Sequence, residues 1–233
     1  MQKRPVTLIS GSGKGIGLAL VNHYIALDHV VIGCSRSETK YSHKNYTHFC
    51  LDVSDEIKVK LMFRHIRRTY GGLDNLINNA GIASMNHAIL TTIETVNRIL
   101  STNVTGTFLL TREAAKIMQQ KKFGRIINFS TVATPLKLAG EAIYASSKAG
   151  VVSLTQILSK ELGPMGITVN AIGPTPVKTD LIKSVPEENL QKLLEHQAIH
   201  RYGEFKDIIN VVDFFLKEES DFITGQVIYL GGI

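Results

Sequence analysis

Short apolar runs alternate with amphipathic stretches along the whole chain. VTLIS (6–10) reads as a buried strand, and helical spacing follows from Gly15 to about Leu27. VVIGC (30–34) and THFCLDV (47–53) read as the second and third strands. DEIKVKLMFRHIRRTY then has helical spacing, with Ile57, Leu61 and Ile66 expected on one face. DNLINNAG is a fourth strand running into a loop, and 92–120 is a helical region broken near Asn103. GRIINFST (124–131) is a fifth strand, 143–162 a helix and GITVNAI (166–172) a sixth strand. Residues 180–216 read as helices, and QVIYLGG closes with a seventh strand. Strands alternating with helices of this length pair in parallel through crossovers. With no linker, repeat or low-complexity segment, the expectation is one α/β domain over 1–233: a doubly wound, mainly parallel seven-stranded sheet.

Composition narrows the setting. The 233 residues are 44% hydrophobic and 20% charged, ordinary for a soluble globular protein. Cys34 and Cys50 are too few for a disulfide framework, and both lie in apolar, strand-like surroundings, which reads as buried thiols in a reducing compartment. Lys3 and Arg4 precede an apolar run, Val6 to Ile9, that is far too short for a secretory signal. No stretch approaches a membrane span, so a cytoplasmic protein without a membrane partner is expected. The net charge of +6 gathers at 64–68 (RHIRR) and 116–125 (KIMQQKKFGR), read as solvated helix faces, with docking of an acidic partner as the alternative. No zinc-finger or RNA-binding signature accompanies that charge, so no nucleic-acid partner is expected, and no metal-ligand spacing occurs.

GSGKGIG (11–17) lies between the first strand and the first helix. A Walker A loop requires a hydroxyl residue after its lysine, but Gly15 follows Lys14. G-x-G-x-x-G fails as well, because position 16 is Ile. The spacing that fits is G-x-x-x-G-x-G at Gly11, Gly15 and Gly17, which allows a tight turn, close approach to a pyrophosphate and close helix packing. Ser12, Lys14 and Ile16 complete the loop, and the helix N-terminus faces the phosphates.

Further motifs follow in order: NNAG (78–81), Asn103 opening NVTG, Tyr144-Ala-Ser-Ser-Lys148, NAIGP (170–174) and TGQVIYLGG near the C-terminus. In this order and at these intervals the sequence resembles the short-chain dehydrogenase/reductase family, most of all the 3-oxoacyl-carrier-protein reductases, over essentially the whole chain. The resemblance implies a Rossmann-type fold and reduction of a ketone to a secondary alcohol. Tyr144 and Lys148 stand one helical turn apart on one face. An ammonium about 4 Å from the phenol favours phenolate by roughly 4 kcal/mol at an effective dielectric of 20, enough to bring a tyrosine toward neutrality. By resemblance Tyr144 is the proton donor, Lys148 also holds the nicotinamide ribose, and Asn103 anchors a water chain. Relatives place a serine thirteen residues before the tyrosine; here that position is Thr131, with Ser130 beside it. A one-residue slip on a strand reverses the side chain, so Thr131 is assigned the carbonyl-polarising role and Ser130 a structural one.

The end of the second strand reads GCSRS, with Ser35 where NAD-specific relatives carry an acid and Arg36 next to it. Arg36 and Lys14 suit a 2′-phosphate, so NADP(H) is expected over NAD(H), although Glu38 is close by. The resemblance adds Asp52 and Val53 at the adenine, Asn79, Ala80 and Gly81 along the cofactor, and Pro174, Val177 and Thr179 at the nicotinamide. Thr175 departs from the family pattern, standing where relatives have glycine.

The substrate cleft is expected between the loop after Thr131 and a helical lid at about 181–202, from Leu136, Leu138, Leu181, Ile182, Leu194, Ile199 and Tyr202, with His196 and His200. The partner is then a small-molecule ketone or alcohol, free or linked to a carrier protein or CoA. Lys121, Lys122 and Arg125 offer a surface for an acidic carrier, which Met165 weakens by standing where carrier-binding relatives are basic. Alternatives are a ketoreductase acting on a sugar derivative or secondary-metabolite ketone, and an NADP-binding regulator with weakened catalysis. By analogy with the family the chain forms a homotetramer or homodimer, to which the apolar helix 149–162 is suited.

Overall fold

The computed structural model describes residues 4–182 and 185–233. Lys183 and Ser184, within the expected lid, lie outside the described residues. The strands are β1 (Val6–Ser10), β2 (Val30–Ser35), β3 (Tyr46–Cys50), β4 (Asn75–Asn78), β5 (Gly124–Phe129), β6 (Ile167–Gly173) and β7 (Val227–Tyr229). Between them run α1 (Gly15–Ala26), α2 (Glu56–Tyr70), α3 (Ile93–Leu100), α4 (Gly106–Met118), α5 (Ala133–Leu136), α6 (Ala142–Leu162), α7 (Glu187–Glu195) and α8 (Phe205–Leu216). All seven strands join one parallel sheet in the order β3-β2-β1-β4-β5-β6-β7. The chain winds from β1 outward to β3, then returns to β4 beside β1. That reversal opens a crevice at the carboxyl ends of β1 and β4, where doubly wound sheets bind their ligands.

Helices cover both faces, so the strands are apolar on both sides. Adjacent residues point to opposite layers. Leu8, Leu76 and Ile126 pack with Val59 and Met62 of α2 and Leu110 of α4. Ile9, Ile77 and Ile127 pack with Leu20 of α1 and with Ile208 and Val212 of α8. On α2 the buried stripe is Val59, Met62, Phe63 and Ile66, whereas Ile57 and Leu61 are 73% and 52% exposed. The expected face was therefore wrong in two of its three members. The helix carries two apolar stripes, and the sheet covers the one with full i, i+3, i+4, i+7 spacing.

Other expectations also shift. β3, an edge strand, ends at Cys50 rather than at 53. Cys50 is exposed, its thiol donating to the Arg36 carbonyl at 3.2 Å, while Cys34 in β2 is fully buried and its thiol is pushed up to about 12 by that burial. Only one of the two thiols is thus buried. Near Asn103 the helix is not broken. It passes through a π-helical turn at Ser101–Thr105 that links α3 to α4. Such insertions recur at functional sites because they re-aim a side chain.

A buried polar chain crosses the centre of the sheet. Asn78 Nδ2 donates to Thr111 Oγ1 at 3.0 Å and to Asn128 Oδ1 at 2.8 Å, and Asn128 Nδ2 donates to Thr155 Oγ1 at 2.9 Å. It ties β4 and β5 to α4 and α6. Replacing Asn128 by Leu removes two of these bonds, and the expected loss is about 2–3 kcal/mol in urea unfolding. An unchanged midpoint contradicts this role.

Candidate active site

The two glycine-bearing motifs meet at the crevice. Gly11 adopts φ +68° and its N–H donates to the Cys34 carbonyl at 2.8 Å. Asn79 Nδ2 donates to the carbonyls of Ser10 (3.0 Å) and Gly11 (3.2 Å), and Ala80 N–H donates to Ser10 Oγ at 3.0 Å. A Cβ at Gly17 would collide with the Gly11 carbonyl oxygen, so α1 packs this closely on the loop only with glycine there. Ile16, Asn79 and Gly81 line the cavity described below.

At the β2 end, Ser12 Oγ accepts from the Tyr46 hydroxyl at 3.2 Å. Ser35 Oγ donates to the Ser37 carbonyl at 2.8 Å and lies 3.2 Å from His48 Nε2. Arg36 is exposed just beyond. Asp52 accepts two bonds from Ser54, at 2.8 and 2.7 Å. Burial raises its pKa, but the Ser54 bonds and Arg36 outweigh that and hold the carboxyl below its usual range. Val53 is buried beside it. Lys14 does not stand free for a phosphate: its ammonium pairs with Asp180 Oδ2 at 2.8 Å, joining the glycine loop to the start of the lid.

β5 ends at Phe129, so Ser130 and Thr131 leave the sheet and diverge. The Thr131 hydroxyl lies near enough to the Tyr144 phenol to lower its pKa, and its Oγ1 accepts from Ala133 N–H at 3.3 Å. Ser130 Oγ instead faces Thr134 Oγ1 (3.3 Å) and the Lys148 carbonyl (3.5 Å). Lys148 Nζ donates to the Phe129 carbonyl at 2.7 Å. The electrostatics differ from the expectation that the lysine would draw the phenol toward neutrality. Burial pushes Tyr144 up to about 12, against the pull of the Thr131 bond, and Glu141 adds to the rise. Burial also pulls Lys148 down to about 8. Desolvation outweighs attraction because the ammonium is held by a carbonyl rather than by the phenol.

Asn103 is fully buried. Its Oδ1 accepts from Ile82 N–H at 2.9 Å, and its Nδ2 donates to the Ile82 carbonyl and Ser147 Oγ, both at 2.9 Å. Ser147 in turn donates to the Tyr144 carbonyl at 2.7 Å. Both amide atoms are thus taken by protein groups, which ties the π-helical turn to α6 and to the loop after β4.

The loop after β6 is firmly placed. The Pro174 carbonyl accepts from Val132 N–H at 3.2 Å, Val177 forms a parallel bridge with Gly203, and Thr179 packs on Gly15. Thr175 is buried with its hydroxyl unpartnered among the described residues. It opens onto a cavity of about 480 Å³ lined also by Thr131, Tyr144, Lys148, Pro174, Val177 and Thr179. From the expected lid, Leu181, Ile182 and His196 line this cavity, joined by Leu193, and Leu138 closes the opposite side. Leu136, Leu194, Ile199, His200 and Tyr202 are not among the lining residues; Leu194 is buried and Ile199 is 58% exposed. The helical period explains the exchange: on α7 the cavity takes Leu190 and Leu193, while Leu194 turns inward.

The sequence reading passed over Glu141, Ser147 and the Thr175 hydroxyl. Ser147 carried a signal by lying within the motif between Tyr144 and Lys148, and Thr175 by standing where relatives have glycine; Glu141 carried none. Of the three cations expected to meet an acidic carrier, Lys122 is exposed and the other two are engaged. Arg125 is 3% exposed and donates to the carbonyls of Lys217 and Glu218, and Lys121 pairs with Asp74 at 2.9 Å. These residues flank the start of β5, on the order of 17 Å along the strand from the cavity at its end.

The family model described as enoyl-(acyl carrier protein) reductase matches residues 11–232. The chain is 30% identical to 3-oxoacyl-[acyl-carrier-protein] reductase FabG of Escherichia coli over 97% of this chain and 96% of that protein. It is 31% identical to FabG of Haemophilus influenzae, with the same coverage. Among solved structures, ElxO with NADP bound is 28% identical, covers 97% of both chains and superposes with a TM-score of 0.89. A variant of ElxO with NADPH bound gives the same TM-score. Among the described residues no helix is long and apolar enough to cross a membrane. With its parallel sheet, its glycine-lined crevice and the Tyr144–Lys148 helix in the family's order, the chain belongs to the short-chain dehydrogenase/reductase family of oxidoreductases.

Proposed function

We propose that the protein is an NADPH-dependent reductase that converts a mid-sized ketone into a secondary alcohol. The observation that carries this reading is the contact between the Tyr144 phenol and the Thr131 hydroxyl at one wall of the cavity, with Lys148 behind them. Two hydroxyls meeting at one point can both hydrogen-bond a single carbonyl oxygen.

The residues present fit NADP(H). The end of β2 offers Ser35 and the exposed Arg36, a 2′-phosphate is matched by a guanidinium, and Pro174, Thr175, Val177 and Thr179 line one cavity with Tyr144 and Lys148. ElxO, similar over nearly its full length, holds NADP in its solved structure. When bound, the cofactor supplies hydride. The protein does the rest. Lys148 presents an ammonium to the ribose side, and Asn103 with Ser147 fixes the turn of α6 that bears Tyr144. Thr131 polarises the carbonyl, and Tyr144 gives its proton to the oxygen as the carbonyl carbon becomes a carbinol. A phenol held near 12 stays protonated through the neutral range, which suits the reducing direction.

The cavity wall of Leu138, Leu181, Ile182 and Leu193 suits an apolar tail. The FabG relatives are named for 3-oxoacyl groups on a carrier protein, and the family model for enoyl reduction, so both thioesters belong in the assay. The expected dimer or tetramer finds support in Ile93, Phe108 and Ile157, which α3, α4 and α6 leave exposed.

Two outcomes are expected. With ketones in an NADPH absorbance assay, Tyr144→Phe lowers kcat by about 10²–10⁴-fold while NADPH affinity holds. Thr131→Ala lowers it strongly, and Ser130→Ala changes it by no more than about threefold because its hydroxyl is engaged by Thr134 and the Lys148 carbonyl. Reduction of the enoyl thioester alone, or a larger loss in Ser130→Ala than in Thr131→Ala, contradicts the assignment. The second outcome concerns pH. Lys148, lowered to about 8, is charged below that value and neutral above it. NADPH affinity therefore weakens as pH rises through about 8, and Lys148→Met is weaker and flat across the same range. A wild-type profile level from pH 7 to 9.5 contradicts the role given to the ammonium.

A further inference from the structure

Glu141 stands at the N-cap of α6, one turn before Tyr144. An acid at this position ordinarily accepts a backbone N–H of the first turn. Glu141 does not; its side chain makes no capping bond. Instead it lines the cavity, and its Oε2 is buried with no hydrogen-bond partner among the described residues. The preceding turn directs it there. Lys137 and Gly140 take φ +51° and +85°, and the Gly140 carbonyl is fixed by Asn86 N–H at 2.9 Å.

The basic side chains lining the same cavity are engaged elsewhere. Lys148 Nζ is on the Phe129 carbonyl, Lys192 Nζ is 2.6 Å from Glu188, and His196 Nδ1 donates to the Lys192 carbonyl at 2.7 Å. Met85, Leu138, Ala139 and Leu193 supply apolar lining to the same cavity, and the Asn189 amide there is directed at Met85 Sδ, at 3.8 Å. A buried carboxyl oxygen without a donor is costly, and with the polar side chains named above engaged elsewhere the missing donor is most economically supplied by the ligand.

We infer that Glu141 is a substrate-recognition residue that accepts a hydrogen bond from a hydroxyl or protonated amine carried near the ketone. Side chains three apart on a helix stand about 5–6 Å apart at Cβ, and Glu141 is near enough to act on the Tyr144 phenol, so donor and ketone belong to one small ligand. The substrate class is then an apolar ketone with a neighbouring hydroxyl or ammonium, rather than one bearing acceptors alone. The placement of the ketone rests on the reductase reading, whereas the donor site at Glu141 does not.

The test uses three ketones with one apolar tail and, at the carbon β to the carbonyl, a hydroxyl, an ammonium or a methyl group. Each is measured for turnover and, by its effect on the fluorescence of protein-bound NADPH, for affinity. Wild type is expected to favour a donor-bearing ketone over the methyl analogue by at least tenfold in affinity. Glu141→Leu removes the preference with NADPH affinity unchanged. Glu141→Gln keeps a preference for hydroxyl and loses one for ammonium, which tells the two donors apart and serves if the leucine variant does not fold. Equal binding of all three by wild type, a preference that survives in Glu141→Leu, or binding of none overturns the inference. Discrimination in affinity without turnover of any ketone sinks the reductase reading and leaves the donor site standing.

Discussion

Asn103 is fully buried, and its amide bonds both main-chain groups of Ile82 and the hydroxyl of Ser147. Those three bonds join the loop after β4, the π-helical turn and α6. The rest of the site inherits its geometry from that junction. Ser147 passes the constraint to the Tyr144 carbonyl, and the turn of α6 so fixed carries both Tyr144 and Lys148. Removing the amide would leave part-buried main-chain groups of Ile82 without that partner, which is a penalty rather than a mere loss of contact. The π-helical insertion belongs to the same device, because it brings the Asn103 carbonyl to the Thr107 hydroxyl at 2.7 Å while the side chain is aimed across to the loop.

Burial then sets the protonation states. The sequence places an ammonium one turn from a phenol, and at that spacing simple attraction favours phenolate. In the folded protein the Lys148 ammonium rests on the Phe129 carbonyl, and both groups are deeply desolvated. The phenol therefore keeps its proton more firmly and the lysine holds its proton less firmly than either would in water. Glu141 presses in the same direction on Tyr144. A proton donor kept protonated, beside a hydroxyl that shares its target, is suited to delivering a proton to an oxygen that gains charge as hydride arrives.

Much of this was legible in the residues. VTLIS matches β1 residue for residue, and the glycine spacing found its place at the β1–β4 crevice because only a strand-to-helix turn needs Gly11 and Gly17 in those positions. Strand alternation separates Ser130 from Thr131 in the sequence, but β5 ends at Phe129 and both residues line the cavity, Thr131 beside the phenol and Ser130 Oγ against Thr134 and the Lys148 carbonyl. Less legible was whatever depends on neighbours distant in sequence. Ile57 and Leu61 are as apolar as Val59 and Met62, and only the position of the sheet decides which stripe is covered. Arg125 reads as one of a basic surface cluster, yet it is buried against carbonyls of Lys217 and Glu218, some ninety residues away in sequence. Glu141 carries no motif at all; its interest lies in an unpaired oxygen that only the folded cavity reveals.

The central claim is that hydride reaches a carbonyl carbon while Tyr144 protonates the oxygen. The direct measurement is to run the purified protein with NADPH carrying deuterium at the transferable position and to locate the label in the product by NMR. The account predicts deuterium on the carbinol carbon of a secondary alcohol, formed by wild type and nearly absent with Tyr144→Phe. Deuterium on a former alkene carbon of an enoyl thioester, with the ketones untouched, would contradict it.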